Sequence, residues 1–153
     1  MAHVRATRVL PGTRVSEAED LWYDLTRWPS FVAGFGHVVR REDGWPAAGG
    51  RLVWDAARGE RERVVERVVR HEARAGQVSE VEDARLRGTQ TLGFAPAGDG
   101  TQMTLELDYA LKEASFAGAV ADALHGRRAL RAALAQTLER FARELAADRE
   151  LLA

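Results

Sequence analysis

Two stretches near the middle of the chain mirror each other about a tight turn, and this symmetry restricts the fold more than any other feature. Residues 86–95 and 101–111 flank the sequence AGDG. A turn with Gly98 and Asp99 at its tip pairs them as an antiparallel hairpin. On one face that register pairs Phe94 with Met103, Leu92 with Leu105, Gln90 with Leu107 and Gly88 with Tyr109.

The two faces of this hairpin differ sharply in polarity. The face just described is apolar except at Gln90, whereas the opposite face pairs Thr89, Thr91 and Gly93 with Asp108, Glu106 and Thr104. A sheet with one apolar and one polar face is covered on one side only. Another part of the chain must therefore cover the apolar face.

The C-terminal third is predicted to supply that cover. From about residue 115 to residue 147 the chain has no proline, and about 30 helical residues span about 45 Å, enough to cross a sheet. Of the 27 alanines, 14 lie from residue 110 onward. The small residues on or near the side of the helix that faces the sheet (Ala119, Ala123, Gly126, Ala133) either leave room for a cavity or reflect a coding bias towards alanine. The apolar stripe of this helix comprises Phe116, Val120, Leu124, Leu134, Leu138, Phe141 and Leu145.

The turn-forming and helix-capping residues in the rest of the chain predict an α+β protein that forms one domain over residues 1–153. Further strands are predicted at residues 3–10, 37–42, 51–57, 61–71 and 77–83. Ser16 and Glu19 form a capping-box pattern that opens one short helix, and Trp28-Pro29 opens a second. The order of elements predicts a curved, seven-stranded antiparallel sheet wrapped around one long C-terminal helix, with two short helices after the first strand.

Composition excludes several function classes. The chain has no cysteine, and its 22 basic and 23 acidic residues interleave, so neither thiolate chemistry nor nucleic-acid binding is expected. No apolar run is long enough for a signal peptide or a membrane span, which predicts a cytoplasmic protein without membrane insertion. The histidines lack metal-ligand spacing and no phosphate-binding loop occurs, so neither metal nor cofactor is expected. The sequence leaves a homodimer open.

Several motifs occur in an order that resembles one superfamily over residues 4–145. The chain is identified as a member of the START-like superfamily, also called SRPBCC, helix-grip or Bet v 1-like, in its polyketide cyclase/dehydrase branch. The resemblance implies a deep apolar cavity between sheet and helix, used by relatives for lipids, sterols, hormones, quinones or aromatic polyketides. The motifs are Leu21-Trp22, Trp28-Pro29 with Phe31 and Phe35, Gly49-Gly50 before RLVWDA, RVVERVV, Leu86-Arg87-Gly88-Thr89 and Gly98-Asp99-Gly100-Thr101.

The predicted ligand site combines an apolar lining with a few polar groups. The resemblance implies that aromatic residues of the second short helix line the pocket, and Trp28 and Phe35 match that pattern. Gln90 is either a hydrogen-bond partner of a ligand or cavity water, or a sign that the register is displaced by one residue, because a buried unpaired amide costs about 1–3 kcal/mol. The predicted ligand-binding residues are Trp28, Val32, Phe35, Trp54, Gln90, Leu92, Met103, Leu105, Leu107, Tyr109, Ala123 and Arg127.

Catalysis is left open by these residues. Tyr109 and Arg127 are the candidate catalytic groups, but Tyr109 is equally interpretable as a core residue and Arg127 as a solvent-facing one. The alternation in RERVVERVVR allows either Arg63 and Arg67 or Glu62 and Glu66 to face inward.

The predicted function is therefore binding of a small hydrophobic or aromatic molecule, as a carrier or sensor. One alternative is a polyketide cyclase/dehydratase that acts on a bound poly-β-ketone. A second alternative is a protein-interaction module of the kind found among co-chaperone relatives.

Overall fold

The computed structural model describes residues 1–57, 61–112 and 119–153, with residues 119–124 as backbone only. Its seven antiparallel strands form one sheet in the order β1-β7-β6-β5-β4-β3-β2. The α+β architecture predicted from the sequence is confirmed. The strands are β1 Ala2–Leu10, β2 Phe35–Glu42, β3 Arg51–Ala56, β4 Arg63–Glu72, β5 Gly76–Glu82, β6 Leu86–Ala97 and β7 Gly100–Leu111. The helices are α1 Val15–Trp22, α2 Trp28–Phe31 and α3 Ala119–Leu152, with a 3₁₀ turn Leu25–Arg27 before α2.

The hairpin of β6 and β7 has the register predicted from the sequence. Phe94 lies opposite Met103 and Gln90 lies opposite Leu107. The apolar partners on this face are buried, and Met103 is fully so. Strand β1 continues the sheet beyond β7, with Val4 opposite Leu107. The apolar side of the sheet is therefore the covered side.

Helix α3 lies across this apolar side. Leu138, Phe141 and Leu145 are buried in the same cluster as Met103 and Leu105, which confirms the predicted stripe where the structure describes it. The predicted stripe positions Phe116, Val120 and Leu124 lie outside the described side chains.

Two arginines fasten the helix to the rest of the domain. Arg27 donates to the carboxylates of Glu144 and Asp148 at 2.8 and 2.9 Å. Arg149 donates to the carbonyl oxygens of Pro11 and Gly12 and to Oγ1 of Thr13, so one side chain holds the turn between β1 and α1.

Two local predictions were wrong. Helix α1 begins at Val15, one residue before Ser16, so Ser16 lies inside the first turn and cannot cap it. The Glu17 carboxylate instead accepts the backbone N–H of Arg14. Strand β4 begins at Arg63 because Glu62 has a φ of 56°, which interrupts the extended backbone.

Candidate ligand-binding groove

The groove between α3 and the concave face of the sheet contains two cavities. The inner cavity, of about 50 Å³, lies at mid-sheet against Leu105 of β7 and Ala133 and Leu134 of α3. The outer cavity, of about 680 Å³, lies between Leu86 of β6 and Gly126 of α3, and both cavities are partly open to solvent. A small residue of α3 thus lines each cavity, Ala133 in the inner one and Gly126 in the outer one.

Aromatic rings form one wall of the inner cavity. Trp22, Trp28 and Trp54 all line it and all are buried. The ring centroids of Trp22 and Trp28 lie 5.6 Å apart, and Phe35 stands edge-on to Trp28 at 5.8 Å. Such tilted and edge-to-face pairs stabilise a rigid apolar surface.

A threonine of α3 fixes the helix beside this wall. Thr137 Oγ1 accepts the backbone N–H of Ala33 at 3.0 Å and donates to the carbonyl oxygen of Ala133 at 2.8 Å. Thr137 and Ala33 both line the inner cavity. The turn after α2 and the facing turn of α3 are therefore joined at the cavity itself.

Polar side chains cross the otherwise apolar sheet at the inner cavity. Glu66 of β4 and Gln90 of β6 both line the cavity, and buried Ser79 lies on the strand between them, opposite Gln90 in the register. Gln90 is half-buried, and the register that placed it on this face is correct. We call Glu66, Ser79 and Gln90 the polar belt.

Glu66 is the ionisable member of the polar belt. The residue is only 4% exposed, and Trp54 Nε1–H donates to its Oε2 at 2.6 Å. Burial raises the pKa of the Glu66 carboxyl, and the hydrogen bond from Trp54 and the charge of Arg61 oppose that rise without cancelling it. The carboxyl therefore holds its proton at a higher pH than an exposed glutamate does.

Arg61 lies at the boundary between the two cavities and lines both. Its Nε donates to Oδ2 of Asp83 at 2.9 Å, and its guanidinium carbon lies 5.5 Å from the centroid of the Trp54 ring. Asp83 in turn accepts the backbone N–H groups of Arg85 and Leu86. Among the described residues, Arg61 Nη2 is buried without a hydrogen-bond partner.

The structure brings together five of the predicted site residues. These five line the inner cavity, whereas Phe35 packs behind them against Trp28 and Trp54. Leu92 and Met103 belong to the adjoining buried cluster, and Leu107 and Tyr109 to a second cluster with Val4 and Val81. The five are Trp28, Val32, Trp54, Gln90 and Leu105.

Two predicted residues do not join this group. The Arg127 side chain is exposed and lines neither cavity, because a long arginine at the edge of the helix stripe can reach water. Ala123 lies outside the described side chains. The orientation that the sequence left open is also resolved: Glu66 faces inward, while Arg63 and Arg67 are exposed on the outer face.

Arg61 and Thr137 were missed by sequence reasoning. Arg61 was assigned to a strand, although it precedes the first strand residue, and no local pattern distinguishes it from its charged neighbours. Thr137 lies on the apolar stripe beside Leu138, and a polar residue at such a position was the available signal.

No cluster of metal-ligating side chains occurs within the described residues. Likewise, no helix in the described part of the chain has the length and apolar character that a membrane crossing requires.

A curved antiparallel sheet closed by one long helix, with a polar belt inside an apolar groove, defines a ligand-binding protein of the helix-grip class. Sequence comparison identifies the family within that class. A family model described as polyketide cyclase/dehydrase and lipid transport matches residues 1–146, and the chain belongs to this family. Comparison with curated protein sequences finds no match.

Solved structures with the same fold span several kinds of protein. A protein from Thermus thermophilus is 22% identical with a TM-score of 0.74, over 96% of this chain and 99% of that one. The di-domain ARO/CYC StfQ from the steffimycin biosynthetic pathway is 18% identical with a TM-score of 0.71, over 97% of this chain and 52% of its own. Ara h 8.0201 is 9% identical with a TM-score of 0.59, over 90% of this chain and 98% of its own. At these identities the likeness shows the fold alone.

Proposed function

We propose that the protein binds a small, mostly apolar molecule that carries a carbonyl or hydroxyl oxygen. The observation that carries this proposal is the polar belt: Gln90 and Glu66 enter a cavity whose other walls are chiefly aromatic and aliphatic. Polar groups in such a place are costly unless they find partners, so a ligand oxygen that accepts from Gln90 or from the Glu66 carboxylic acid is favoured.

The sizes of the two cavities suggest how the ligand is divided between them. A volume of about 50 Å³ holds only a few waters, whereas about 680 Å³ lies within the range typical of small-molecule sites. The polar end of the ligand therefore enters the inner cavity beside Gln90. Its body occupies the outer cavity, and Arg61 lies where the two meet.

A matched pair of probes tests the proposal. Calorimetric titration compares 2-acetylnaphthalene with 2-ethylnaphthalene, which differ by one carbonyl oxygen. We expect the ketone to bind about 2- to 10-fold more tightly, as for one neutral hydrogen bond. The variant Gln90→Leu should remove that preference, while Thr91→Val, on the outer face of the same strand, should retain it. Absence of binding by both probes overturns the proposal.

A second candidate function is a cyclase or dehydratase acting on a poly-β-ketone. It is favoured by one specific observation: a buried carboxyl with a raised pKa lies near a guanidinium group on a cavity wall. In an aldol-type ring closure, an enol carbon attacks a ketone carbon, the Glu66 acid gives its proton to the ketone oxygen, and the Glu66 carboxylate takes up the hydroxyl proton of the enol as that enol becomes a ketone. Arg61 stabilises the negative charge that develops on the attacked oxygen. The new hydroxyl group then leaves as water with a proton from the adjacent carbon, which gives the unsaturated ring.

Turnover of a poly-β-ketone surrogate distinguishes an enzyme from a carrier. If Glu66 is the acid, Glu66→Gln keeps its hydrogen bond with Trp54 and retains binding, but loses turnover by about 100-fold or more. Turnover unchanged in Glu66→Gln removes Glu66 from the mechanism. Absence of turnover by the unaltered protein leaves the carrier function. Tyr109 is buried in the second cluster and lines neither cavity, so Tyr109→Phe should leave turnover unchanged.

A further inference from the structure

The outer cavity differs from the inner one in the charge of its lining. Arg61, Arg85 and Lys112 line it, and Asp83 is the one acidic residue among the lining residues that the structure describes. Leu86, Leu111 and Leu130 supply the apolar part of the wall. Arg61 and Lys112 are each ion-paired with a carboxylate, Asp83 and Glu82, so these two side chains matter at this wall as hydrogen-bond donors rather than as net charge. A partly open cavity with aliphatic walls and such charged donors suits an apolar molecule that bears a carboxylate.

Arg61 is held in a fixed orientation before any ligand arrives. Its Nε donates to Asp83, and its guanidinium carbon lies over the Trp54 ring. Asp83 cannot turn away easily, because it also accepts two backbone N–H groups. A guanidinium group held in this way loses little side-chain entropy when it forms a further hydrogen bond.

Arg61 also has unused hydrogen-bonding capacity. Within the described structure only its Nε donates a hydrogen bond, to Asp83, and the Arg61 side chain remains 30% exposed, although a guanidinium group can donate five hydrogen bonds. Glu66 lines the inner cavity with Arg61 and does not form an ion pair with it within the described structure, and the raised pKa of Glu66 reduces its negative charge. A negatively charged oxygen placed beside Arg61 would therefore meet little repulsion from the polar belt.

We propose that the polar end of the ligand is a carboxylate group that lies where the two cavities meet, and that Arg61 is the residue that selects it. The proposal rests on the ligand-binding function above and specifies its ligand class: an apolar or aromatic acid. Lys112 is ion-paired with Glu82 at 2.7 Å, so its charge is largely balanced and it does not serve as the main partner.

The test compares 2-naphthoate with 2-acetylnaphthalene, in which a methyl group replaces one carboxylate oxygen. Isothermal titration calorimetry at pH 7.4 should show the acid binding at least about 10-fold more tightly, because hydrogen bonds to charged groups are stronger than neutral ones. Raising sodium chloride from about 50 to 500 mM should weaken binding of the acid and leave the ketone unaffected.

Variants then assign the preference to Arg61. Arg61→Gln should abolish the preference for the acid, measured as the ratio of the acid and ketone dissociation constants in the same variant. Arg61→Lys, which keeps the charge but not the planar fork, should retain part of it. Arg63→Gln is the matched control, because Arg63 lies on the outer face and pairs there with Asp55. If Arg61→Gln fails to fold, Arg61→Lys and the salt dependence replace it, and both should weaken binding of the acid alone.

The outcomes separate this inference from the function on which it rests. Equal binding of acid and ketone by the unaltered protein overturns the carboxylate site and leaves the ligand-binding function standing. A preference for the acid that survives in Arg61→Gln overturns the assignment to Arg61. Absence of binding by both probes overturns both proposals.

Discussion

Replacing Glu66 with glutamine should make the protein more stable at neutral pH, and the gain should grow as the pH rises. Burial raises the pKa of this carboxyl in the folded chain, whereas in the unfolded chain the carboxyl ionises near 4.5. Between these two values the folded chain holds a proton that the unfolded chain has released. A rise in pH therefore favours unfolding, until the folded carboxyl also ionises.

Linkage sets an upper limit on this effect. From pH 4.5 to pH 7 a single carboxyl can reduce the free energy of unfolding by at most about 3.4 kcal/mol, at about 1.36 kcal/mol for each pH unit. Glutamine has nearly the same shape, and its carbonyl oxygen can accept the Trp54 Nε1–H bond that Glu66 Oε2 now accepts. The variant therefore removes the titration and keeps the packing.

Urea denaturation followed by far-ultraviolet circular dichroism measures this difference at pH 4 and pH 7. We expect the two proteins to agree within about 0.5 kcal/mol at pH 4, with Glu66→Gln the more stable at pH 7, by no more than the limit above. Glu80→Gln, at an exposed position of β5, is the control and should differ from the unaltered protein equally at both pH values. A stability difference that does not change with pH, or a less stable Glu66→Gln at pH 7, refutes the reasoning.

Three further predictions concern stability and use the same assay. Arg149→Ala removes the hydrogen bonds that hold the turn after β1 and should lower the free energy of unfolding by about 1–3 kcal/mol. Arg143→Ala, which removes an exposed ion pair on the same helix, should lower it by less than about 0.5 kcal/mol. Equal losses in the two variants would contradict this role of Arg149. Tyr23→Phe removes a buried hydroxyl without a hydrogen-bond partner in the described structure and should leave the free energy of unfolding unchanged or raise it. A loss above about 1 kcal/mol would contradict the absence of a partner for this hydroxyl. Gly88→Ala would bring a Cβ within 2.0 Å of a backbone oxygen of β7 and should cost about 1–3 kcal/mol or more, while Gly93→Ala, in open space on the same strand, should cost less.

The sequence predicted the β6–β7 hairpin and helix α3 well, because the spacing of apolar residues in each is compatible with only one secondary structure and one buried face. In β6 and β7 apolar and polar residues alternate over about ten positions on each side of a Gly-Asp turn, so a displacement of one residue would reverse both faces. The register, and with it the inward position of Gln90, could therefore be read directly. Helix α3 was equally clear at Leu138 and Phe141, because the apolar spacing there is regular.

Strand β4 was ambiguous for a physical reason. Valine occurs in adjacent pairs along it, so each face carries both valine and charge, and alternation alone cannot choose between Glu66 and Arg67. The structure decides between them by burying Glu66 and exposing Arg67. Which face of β4 is covered depends on tertiary packing, which no local window of sequence contains.

The positions of residues along the groove were also beyond local prediction. Tyr109 and Leu105 share a face of β7, and yet only Leu105 reaches the inner cavity. Where the cavity lies depends on which part of α3 stands above each strand residue. Arg61 is the extreme case, because its role depends on Asp83 and Trp54, which are distant in sequence and meet only in the folded chain.

The tryptophans of the groove have a spectroscopic consequence. All four are buried, and Trp28 contacts Trp22, Trp45 and Trp54 at ring-centroid distances of 5.6, 6.0 and 6.4 Å. At such distances excitation energy passes readily between indole rings, so the emission of the whole protein comes from one coupled group. Because part of that group lines the inner cavity, a ligand entering there would change the emission of the coupled tryptophans, and a binding assay on this protein would need no attached dye.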